Sequence, residues 1–593
     1  MKNNVFKNFI YSLKKVWKID KSYIILGVIS SILSAINVYV YSYTIKVAVS
    51  AIENSDIFEV YLLKVLLTVV IGLIISCIIN IIDNYFWVRV DDISINLSRE
   101  FYMNSLKIDY EKFERTDIQD LHQRASIAVS YNGILGMIQR GVQILRSFAS
   151  VIIAFTIILQ VSWLLIIIIV TCAIIKYLIG IYNEKLKKKE LYDKLPNLNR
   201  KITYANNIVK NQAIGKDIRI YDMNLFVEKK RDEVVKEYCR LYKKYMIKDF
   251  FLSLIKYILN IIDELALYGF MIFEVIYNGM LISTFSFMLS SVRNLISSFS
   301  SFIFEYSYLV ECSLSVNDYR EFINKDLFIE YEINKCDFEF ESLEFKNVSY
   351  SYYLQDGKAL DNVSFKINKN EKIALVGYNG AGKTTLIKLI CGLYHPTEGE
   401  ILLNGINIEK IDRSELSKYL APVFQDTIHY SINIEENISF EIDPDDNKID
   451  NVLNYVDLYE KVGTFPNKKK TIVSRDIDEK GIDLSGGESQ KLSLARAIYK
   501  KAPLMMLDEP TSAMDAISEA NLYNNINQIL SNNTVIFISH RLSSTKFCDR
   551  IIMLEKGKII EEGTHNDLLN KNAEYAKLFN MQASYYKGGE DNE

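Results

Sequence analysis

A glycine-rich loop with the residue types of a phosphate-binding site lies at 377–385. It reads Gly-Tyr-Asn-Gly-Ala-Gly-Lys-Thr-Thr and fits the pattern G-x-x-x-x-G-K-[ST]. Glycines let backbone N–H groups wrap phosphate oxygens, and the N-terminus of a following helix adds positive potential. The lysine of such a loop reaches the β- and γ-phosphates, and the first threonine ligates Mg²⁺. The predicted nucleotide-binding residues are Gly377, Asn379, Gly380, Ala381, Gly382, Lys383, Thr384 and Thr385.

Two adjacent carboxylates follow an apolar run later in the chain. The segment 504–510 reads Leu-Met-Met-Leu-Asp-Glu-Pro, which is typical of a buried strand ending in two acids. Asp508 is placed to hold Mg²⁺ through water, and Glu509 to polarise the water that attacks the γ-phosphate. The alternative is an acid pair facing solvent, and the upstream phosphate loop argues against it.

A third motif could bind a further phosphate. Ser485, Gly486, Gly487 and Glu488 begin an amphipathic run, so a serine caps a helix whose first backbone N–H groups can face an anion. The 377–385 loop already serves one nucleotide. We therefore expect this second phosphate to belong to a nucleotide held by a partner chain.

The elements that position these motifs differ between the two parts of the chain. Residues 1–340 contain one of the seven prolines and nine of the 24 glycines. Long uninterrupted helices are therefore predicted first, and a turn-rich α/β domain second. The phosphate loop lies in the second part, between an apolar run and a predicted helix, as its chemistry requires.

Apolar stretches in the first part are long enough to cross a bilayer, which takes roughly 20 residues. The loop 183–249 contains 18 Lys and Arg against 10 Asp and Glu, whereas the short connections on the other side contain no Lys or Arg. The positive-inside rule places the N-terminus, both long loops and everything after residue 310 in the cytosol. Buried helices of a large soluble protein are the alternative. The six predicted spans are 22–48, 60–82, 136–160, 162–182, 250–276 and 280–310.

Bulk composition excludes other classes. The net charge of −4 does not imply a nucleic-acid partner, and 49% apolar residues are too many for a disordered chain. The seven cysteines are scattered singly without zinc-ligand spacing, which favours a reduced, cytosol-facing protein.

Charges within the predicted spans indicate either function or structural pairing. If the fifth and sixth spans form a hairpin, Asp263 and Arg293 both lie about 20 Å along their helices. Asp263 or Glu264 could then meet Arg293 and line a translocation cavity, and a purely structural ion pair is the alternative. Pro196 has no functional explanation at this level.

Two short segments lie near the middle of the long cytosolic loops, where the chain must reverse. They are Asp109–Asp117 and Asn211–Tyr221. We expect them to contact the nucleotide-binding domain, and plain solvated turns are the alternative.

The run Leu484–Ala497 resembles the signature of ATP-binding cassette (ABC) proteins. The resemblance covers the whole chain, since six spans followed by one cassette is the layout of an exporter half-transporter. It implies an α-helical membrane domain of six long transmembrane helices, exporter type, followed by an α/β P-loop ATP-binding cassette domain. The expected boundaries are 1–325 for the membrane domain, 326–340 for a linker, 341–585 for the nucleotide-binding domain and 586–593 for a tail.

The resemblance also implies roles for residues outside the three motifs. Tyr352 is expected to stack on adenine, Gln425 to contact Mg²⁺ and sense the membrane domain, and His540 to contact the γ-phosphate. Segments 109–117 and 211–221 correspond to the coupling helices. The expected catalytic residues are thus Glu509, His540 and Gln425, the metal ligands are Thr384, Gln425 and Asp508, and the nucleotide contacts include Tyr352, Ser485, Gly486, Gly487 and Glu488.

Further segments match the family with small departures. Glu479–Gly481 resembles the X-loop, and Ser512–Asp515 resembles the D-loop. Glu488 replaces the usual Gln of the signature, and Met514 replaces the usual Leu of the D-loop. Glu488 puts a carboxylate near the negatively charged phosphates of ATP and could weaken closure of the two cassettes around the nucleotide.

The expected function is ATP-driven export across the cytoplasmic membrane by alternating access in a dimer, with ATP and Mg²⁺ as cofactors. The presence of Glu509 and His540 favours a homodimer with two working sites, and a heterodimer stays open. The other expected partner is the lipid bilayer, with no role for nucleic acid.

The substrate is expected to be a peptide. Segments 391–396, 423–426 and 216–221 resemble bacterial exporters of lantibiotics and related peptides. About 20 residues precede the first span, so we expect no leader-cutting domain and processing elsewhere. Lipid or multidrug export is the main alternative, and an ATP-gated channel or sensor is a further one.

Overall fold

The chain forms two compact units in a computed structural model. The first comprises residues 1–108 and 116–327, and the second comprises 109–115 and 328–593. A short segment of the N-terminal half therefore belongs with the C-terminal unit. The structure describes residues 4–54, 58–158, 163–192, 194–210, 212–329, 331–333, 335–475, 478–511, 514, 519, 522, 533–539, 545–546 and 548–587.

The first unit is helical where it is described. Its longest helices have 48, 55 and 43 residues, well beyond the roughly 20 that a bilayer needs. A π-helix at Lys188–Tyr192 follows the seventh helix. The helices, with α4 assigned to the second unit, are α1 Val5–Ile19, α2 Lys21–Asn54, α3 Phe58–Ser105, α4 Tyr110–Phe113, α5 Thr116–Ile127, α6 Ile134–Ile158, α7 Trp163–Lys187, α8 Leu195–Lys210, α9 Gln212–Ile220, α10 Asn224–Asn278 and α11 Ile282–Asn324.

Helix α11 is central to the packing of this unit. It contacts α2, α5, α6 and α7, while α10 packs against α7. One apolar core joins α2, α6, α7, α10 and α11, since their long and branched side chains interlock away from water. Its buried members are Tyr39, Ala154, Ile166, Ile169, Leu267, Met271, Met288, Val292 and Leu295.

Four helices of the described chain are long and apolar enough to cross a membrane by length and composition. They span Lys21–Glu53, Glu59–Ser105, Ile134–Ile157 and Ile166–Leu191. The predicted fifth span, 250–276, lies within α10, and the predicted sixth, 280–310, overlaps α11 from residue 282 onward. Those two helices are long, but the charges of α10 and the many serines of α11 reduce their hydropathy.

The predicted pairing of Asp263 with Arg293 is wrong. Asp263 instead accepts a hydrogen bond from Lys176 on α7, with Nζ and Oδ2 2.6 Å apart. Arg293 donates to the hydroxyl of Tyr268. A hairpin of α10 and α11 alone would offer Asp263 only Arg293, but the packing of α7 against α10 brings Lys176 to it.

Pro196 has a structural explanation. It lies in the first turn of α8, which begins shortly after the π-helix. A proline is well suited to that position, because its missing N–H would have no partner within the helix. The predicted contact segment that begins at Asn211 contains α9, which belongs to the first unit, and Asn211 itself lies outside the described residues.

The second unit contains two sheets. One is antiparallel with the order β2-β1-β4-β5, and the other has the order β10-β9-β3-β8-β7-β6, in which β6, β7, β8, β3 and β9 run parallel. The strands are β1 Ser342–Tyr350, β2 Leu360–Asn368, β3 Lys372–Gly377, β4 Glu398–Leu403, β5 Ile406–Asn407, β6 Leu420–Val423, β7 Leu504–Asp508, β8 Thr534–Ile538, β9 Arg550–Glu555 and β10 Lys558–Gly563.

Helices surround these sheets and complete the second unit. Strands β3, β7 and β8 are buried on both faces, so they consist of continuous apolar runs. The remaining helices are α12 Lys383–Ile390, α13 Arg413–Lys418, α14 Ile434–Ser439, α15 Asp446–Tyr455, α16 Tyr459–Gly463, α17 Gly486–Lys500, α18 His565–Lys571 and α19 Glu574–Lys587.

Candidate nucleotide-binding site

The glycine-rich loop connects β3 to α12 at the carboxyl edge of the parallel sheet. This is the edge at which ligands bind in open α/β sheets. Gly377 has a φ of 148°, and a Cβ there would lie 2.1 Å from the carbonyl oxygen of Leu554. A side chain at this position would therefore collide with the neighbouring strand, which explains the first glycine of the motif.

Lys383 is held inside the loop. Its Nζ donates to the carbonyl oxygens of Gly377 at 2.8 Å and Tyr378 at 3.0 Å. Burial lowers the pKa of Lys383, while the carboxylates of Glu509 and Asp508 act in the opposite direction. The ammonium is therefore aimed at the loop cavity and is ready to pair with an anion.

Two oxygen ligands converge beside this lysine. The hydroxyl of Thr384 donates to Oδ2 of Asp508 at 2.9 Å, and Asp508 is 1% exposed at the end of β7. A hydroxyl and a carboxylate are the oxygen donors that suit Mg²⁺. The residues present therefore fit the ion that the sequence implies.

Glu509 adopts an unusual backbone conformation. Its φ is +50°, in the left-handed region, and its N–H donates to the carbonyl of Ile538 at 3.0 Å. Nε2 of Gln425 donates to its Oε2 at 3.1 Å. Left-handed backbone at a non-glycine residue costs energy and concentrates at functional sites. The sequence pattern alone does not reveal this strain.

One cavity of about 680 Å³ brings most of the predicted residues together. Gly377 and Asp508 are adjacent to it through Lys383 and Thr384. Residues 355–359 also line the cavity, although the sequence interpretation did not include them. The predicted residues in the lining are Tyr352, Asn379, Gly380, Ala381, Gly382, Lys383, Thr384, Thr385, Gln425 and Glu509.

Tyr352 is held by an aromatic cluster that the sequence interpretation missed. Its hydroxyl lies 2.8 Å from that of Thr385, and its ring packs edge-on against Tyr350 and Tyr394. The rings of Tyr350 and Tyr394 stack at 5.3 Å, and burial raises the pKa of both phenols. Both therefore remain neutral hydrogen-bond donors.

The segment Asp109–Arg115 binds this cluster within the second unit. Glu111 accepts hydrogen bonds from the hydroxyl of Tyr350 at 3.2 Å and the backbone N–H of His395 at 3.1 Å. Glu114 accepts one from the hydroxyl of Tyr394 at 2.7 Å. Contacts thus run from this segment to the tyrosines that hold Tyr352.

An ionic cluster fixes the start of the same segment. Asp109 lies 3.2 Å from Arg413 and 3.4 Å from His395, whose other ring nitrogen is 3.0 Å from Glu409. The contact with Asp109 and the hydrogen bond with Glu409 raise the pKa of His395 to about 9, against the opposing effect of burial. Burial acts to raise the pKa of Asp109, but its contacts with His395 and Arg413 leave it below the usual value.

The signature residues lie outside the cavity lining. Ser485 caps α17, and its hydroxyl accepts from the N–H of Glu488 at 3.3 Å, while Glu488 accepts from the N–H of Ser485 at 2.9 Å. Lys461 is 3.5 Å from Glu488. Burial tends to raise the pKa of Glu488, but its bonds with Ser485 and Lys461 leave it lowered. The carboxylate of Glu488 thus occupies the N-terminus of α17.

Several predicted residues cannot be placed. His540, and Ser512 and Asp515 of the predicted D-loop, lie outside the described residues. Met514 is described and is buried in the core of the second unit.

Comparisons with known proteins identify the family of the chain. The family model described as ABC transporter matches residues 360–512. The chain is 30% identical over 504 residues to the subtilin transport ATP-binding protein SpaT of Bacillus subtilis, which is 82% of this chain and 80% of that protein. It is 38% identical over 240 residues to the ATP-dependent lipid A-core flippase of Burkholderia orbicola (strain AU 1054), and that match spans only 40% of either protein.

The fold is also that of a solved exporter. The structure of a bacterial Atm1-family ABC exporter with ATP bound superposes with a TM-score of 0.81 and covers 95% of this chain and 98% of that one, at 20% identity. The SpaT match extends over both the helical unit and the cassette. The chain therefore belongs to the ABC transporter family, as a multi-pass, exporter-type half-transporter whose cassette binds and hydrolyses ATP.

Proposed function

We propose that the protein exports a peptide of the bacteriocin or lantibiotic class across the cytoplasmic membrane, as a homodimer. The observation that carries the proposal is the similarity to the subtilin transport protein over four fifths of that protein's length. The intact set of Lys383, Asp508 and Glu509 supports two working ATP sites in such a dimer. The N-terminus and the cassette are proposed to lie in the cytosol, on the positive side predicted by the loop charges.

Within each site, different residues bind the nucleotide, hold the metal ion and accept the proton of the attacking water. The loop amides and Lys383 bind the phosphates, and Tyr352 stacks on adenine. Thr384, Asp508 and Gln425 would hold Mg²⁺, which when bound neutralises charge on the phosphates. Glu509 accepts a proton from the attacking water, and the contact with Gln425 orients its carboxylate.

Transport requires the two sites to be coupled to the helical unit. We propose that Ser485–Glu488 of one protomer contacts the γ-phosphate held by the other, which requires Glu488 to release its cap on Ser485. His540 would contact the same phosphate. Closure of the two cassettes around ATP is transmitted to the membrane helices through Asp109–Arg115. The helices then alternate between states that are open to one side of the membrane or to the other.

A lipid exporter is the second candidate, because the chain also resembles the lipid A-core flippase. That match is confined to 240 residues. The experiment is to reconstitute the protein in inside-out proteoliposomes and to measure ATP hydrolysis and the uptake of a labelled lantibiotic precursor. Uptake that requires ATP and is absent in Glu509→Gln supports peptide export. ATP-dependent lipid movement without peptide uptake would favour lipid export, and hydrolysis without flux of either would favour a sensor or channel.

A further inference from the structure

Helices α7 and α10 both change from apolar to basic where they leave the predicted spans. The predicted fourth span ends at residue 182, and the predicted fifth begins at residue 250. Residues 183–196 contain five Lys against three Asp and Glu, and residues 240–249 contain four Lys and Arg against one Asp. Because α7 and the π-helix that follows it pack against α10, the two basic segments lie side by side.

Three lysines converge there on one carboxylate, that of Glu190 in the π-helix. Nζ of Lys248 donates a hydrogen bond to its Oε1 at 2.8 Å. Nζ of Lys244 and Nζ of Lys194 lie 3.5 and 3.9 Å from its Oε2. The Glu190 side chain is 10% exposed, whereas the three lysine side chains are 40–59% exposed. The carboxylate is therefore buried beneath a positively charged surface, the lysine cluster formed by Lys194, Lys244 and Lys248.

The lysine cluster carries more positive charge than the carboxylate neutralises. Among the residues that the structure describes, Glu190 is the only acid within ion-pair distance of these three ammonium groups, which leaves two positive charges uncompensated. An ammonium has three N–H donors, so Lys244 and Lys194 retain donors for another acceptor. Like charges so close together repel one another, and a bound anion relieves this repulsion. A phosphate can accept charge-assisted hydrogen bonds from several lysines at once.

An exposed apolar stripe continues from the lysine cluster along α10. Lys244 and Lys248 share one face of this helix with four apolar residues, which follow at intervals of three and four. The four are 44–61% exposed and extend over about 16 Å at 1.5 Å per residue. This length is close to half of a ~30 Å hydrocarbon core, the depth of one leaflet. The apolar stripe comprises Phe251, Ile255, Ile258 and Ile262.

The other side of α10 is polar and faces into the helical unit. Asp249, Ser253, Lys256 and Asn260 line a cavity of about 610 Å³ between α7, α10 and α11. These residues alternate along the helix with those of the apolar stripe, as the two faces of one helix do. The apolar stripe is therefore turned away from this cavity.

We propose that the lysine cluster and the apolar stripe together bind one anionic phospholipid. Its phosphate contacts the three lysines, and an acyl chain lies along Phe251–Ile262. Free phosphate would leave the apolar stripe uncovered, and a lipid without net charge would leave the excess positive charge of the cluster in place. Clusters of lysines directly beside a membrane-spanning helix attract anionic lipids in this way. The lipid stays beside the helices and is not cargo, so the inference goes beyond the proposed export and does not depend on the substrate.

Lipid binding to the delipidated full-length protein in detergent tests this site. Native mass spectrometry gives the apparent Kd of the first bound phosphatidylglycerol, and of phosphatidylcholine with the same acyl chains. The variant Lys194→Gln/Lys244→Gln/Lys248→Gln should weaken binding of phosphatidylglycerol at least tenfold, since each such lysine contributes roughly fivefold to affinity. Binding of phosphatidylcholine should be unchanged. The corresponding triple substitution to Arg retains the charges and should bind phosphatidylglycerol as the unmodified protein does.

The matched control removes three exposed lysines from a part of α10 farther from the apolar stripe. It is Lys229→Gln/Lys230→Gln/Lys236→Gln, in which Lys230 loses its pairing with Glu233. This variant should bind both lipids as the unmodified protein does. Far-UV circular dichroism of each variant reports whether its helices are formed.

Photocrosslinking locates the lipid on the unmodified protein and so does not depend on the folding of any variant. Phosphatidylglycerol with a diazirine in the middle of an acyl chain should label residues within 251–262. Inorganic phosphate in excess should not displace this lipid, because it cannot cover the apolar stripe.

Three results would each overturn the assignment. One is equal affinity of the unmodified protein for the two lipids, or an equal loss of phosphatidylglycerol binding in the two glutamine variants. Another is labelling that falls entirely outside 244–262. The third is displacement of the lipid by inorganic phosphate, which would show an anion site without a lipid.

Discussion

Two cavities of this protein have similar volumes, about 680 Å³ in the cassette and about 610 Å³ between α7, α10 and α11, but they are built differently. In the cassette cavity, one continuous loop, 379–385, contributes nearly half of the lining residues, including the lysine. The helical cavity collects single side chains from three helices. A ligand bound by backbone groups constrains the sequence tightly, whereas side chains on helices can be exchanged singly. The glycines and lysine of the loop form a motif that can be recognised in the sequence, whereas single side chains on three helices leave no such motif.

The largest expected effect concerns ATP hydrolysis and Glu509, which lines the cassette cavity. Glu509→Gln should reduce the rate of ATP hydrolysis by about 10²–10⁴-fold, because a general base is lost. ATP affinity should change little, since the phosphate loop and Lys383 are intact. Steady-state hydrolysis and filter binding of ATP measure the two quantities.

An exposed acid on the same unit provides the control for this change. Glu460→Gln on α16 should hydrolyse ATP at the unmodified rate. Hydrolysis within tenfold of normal in Glu509→Gln would refute the assignment of the base.

The next largest effect concerns the buried ion pair between Lys176 and Asp263 in the helical unit. Lys176→Met should lower the free energy of unfolding by about 3–5 kcal/mol, because Asp263 is 1% exposed and would be left as a buried, unpaired charge. The double variant Lys176→Met/Asp263→Leu should recover most of the loss. Unfolding curves in SDS, followed by circular dichroism, give the difference.

Lys230→Met, at the exposed pair with Glu233, should change stability by less than about 1 kcal/mol. If the single and double variants at Lys176 were equally unstable, an ion pair would not be the stabilising contact.

Residue positions were therefore easier to predict from the sequence in the cassette than side-chain contacts were in the helical unit. Gly377, Lys383 and Thr384 could be named because they belong to one short motif, and Glu509 because it belongs to a second one at 504–510. The pairing of Asp263 could not be predicted, since it depends on which helix packs beside α10. The aromatic support of Tyr352 was missed for the same reason, because Tyr394 is brought to it only by tertiary packing.

A smaller effect probes that aromatic support. Tyr352→Ala should weaken ATP binding by about 1–3 kcal/mol, the usual value for stacking on a base, with little change in the maximal rate. Tyr352→Phe retains the ring but loses the contact with Thr385, so we expect a loss of about 0.5–1.5 kcal/mol. A fluorescent ATP analogue measures the affinities.

Tyr353→Ala is the matched control for the stacking variant, since Tyr353 lies beneath Arg115 and does not line the cavity. Equal losses of affinity for changes at Tyr352 and Tyr353 would argue against adenine stacking at Tyr352.

The smallest effect concerns Asp109–Arg115, which lies in the N-terminal half of the sequence but belongs to the C-terminal unit. His395 holds Asp109 and Glu409, and its pKa is raised to about 9. Because the folded pKa lies above the ordinary value of about 6.5, this stabilisation is complete below pH 6.5 and is lost as the pH rises through about 9. Thermal unfolding of the full chain between pH 6 and 10 should show a loss of stability on the order of 1 kcal/mol that is absent in His395→Gln.

Arg413 also contacts Asp109 and keeps its charge throughout this range, so the segment should loosen without detaching. Identical pH profiles for the two proteins would show that the histidine does not secure this segment.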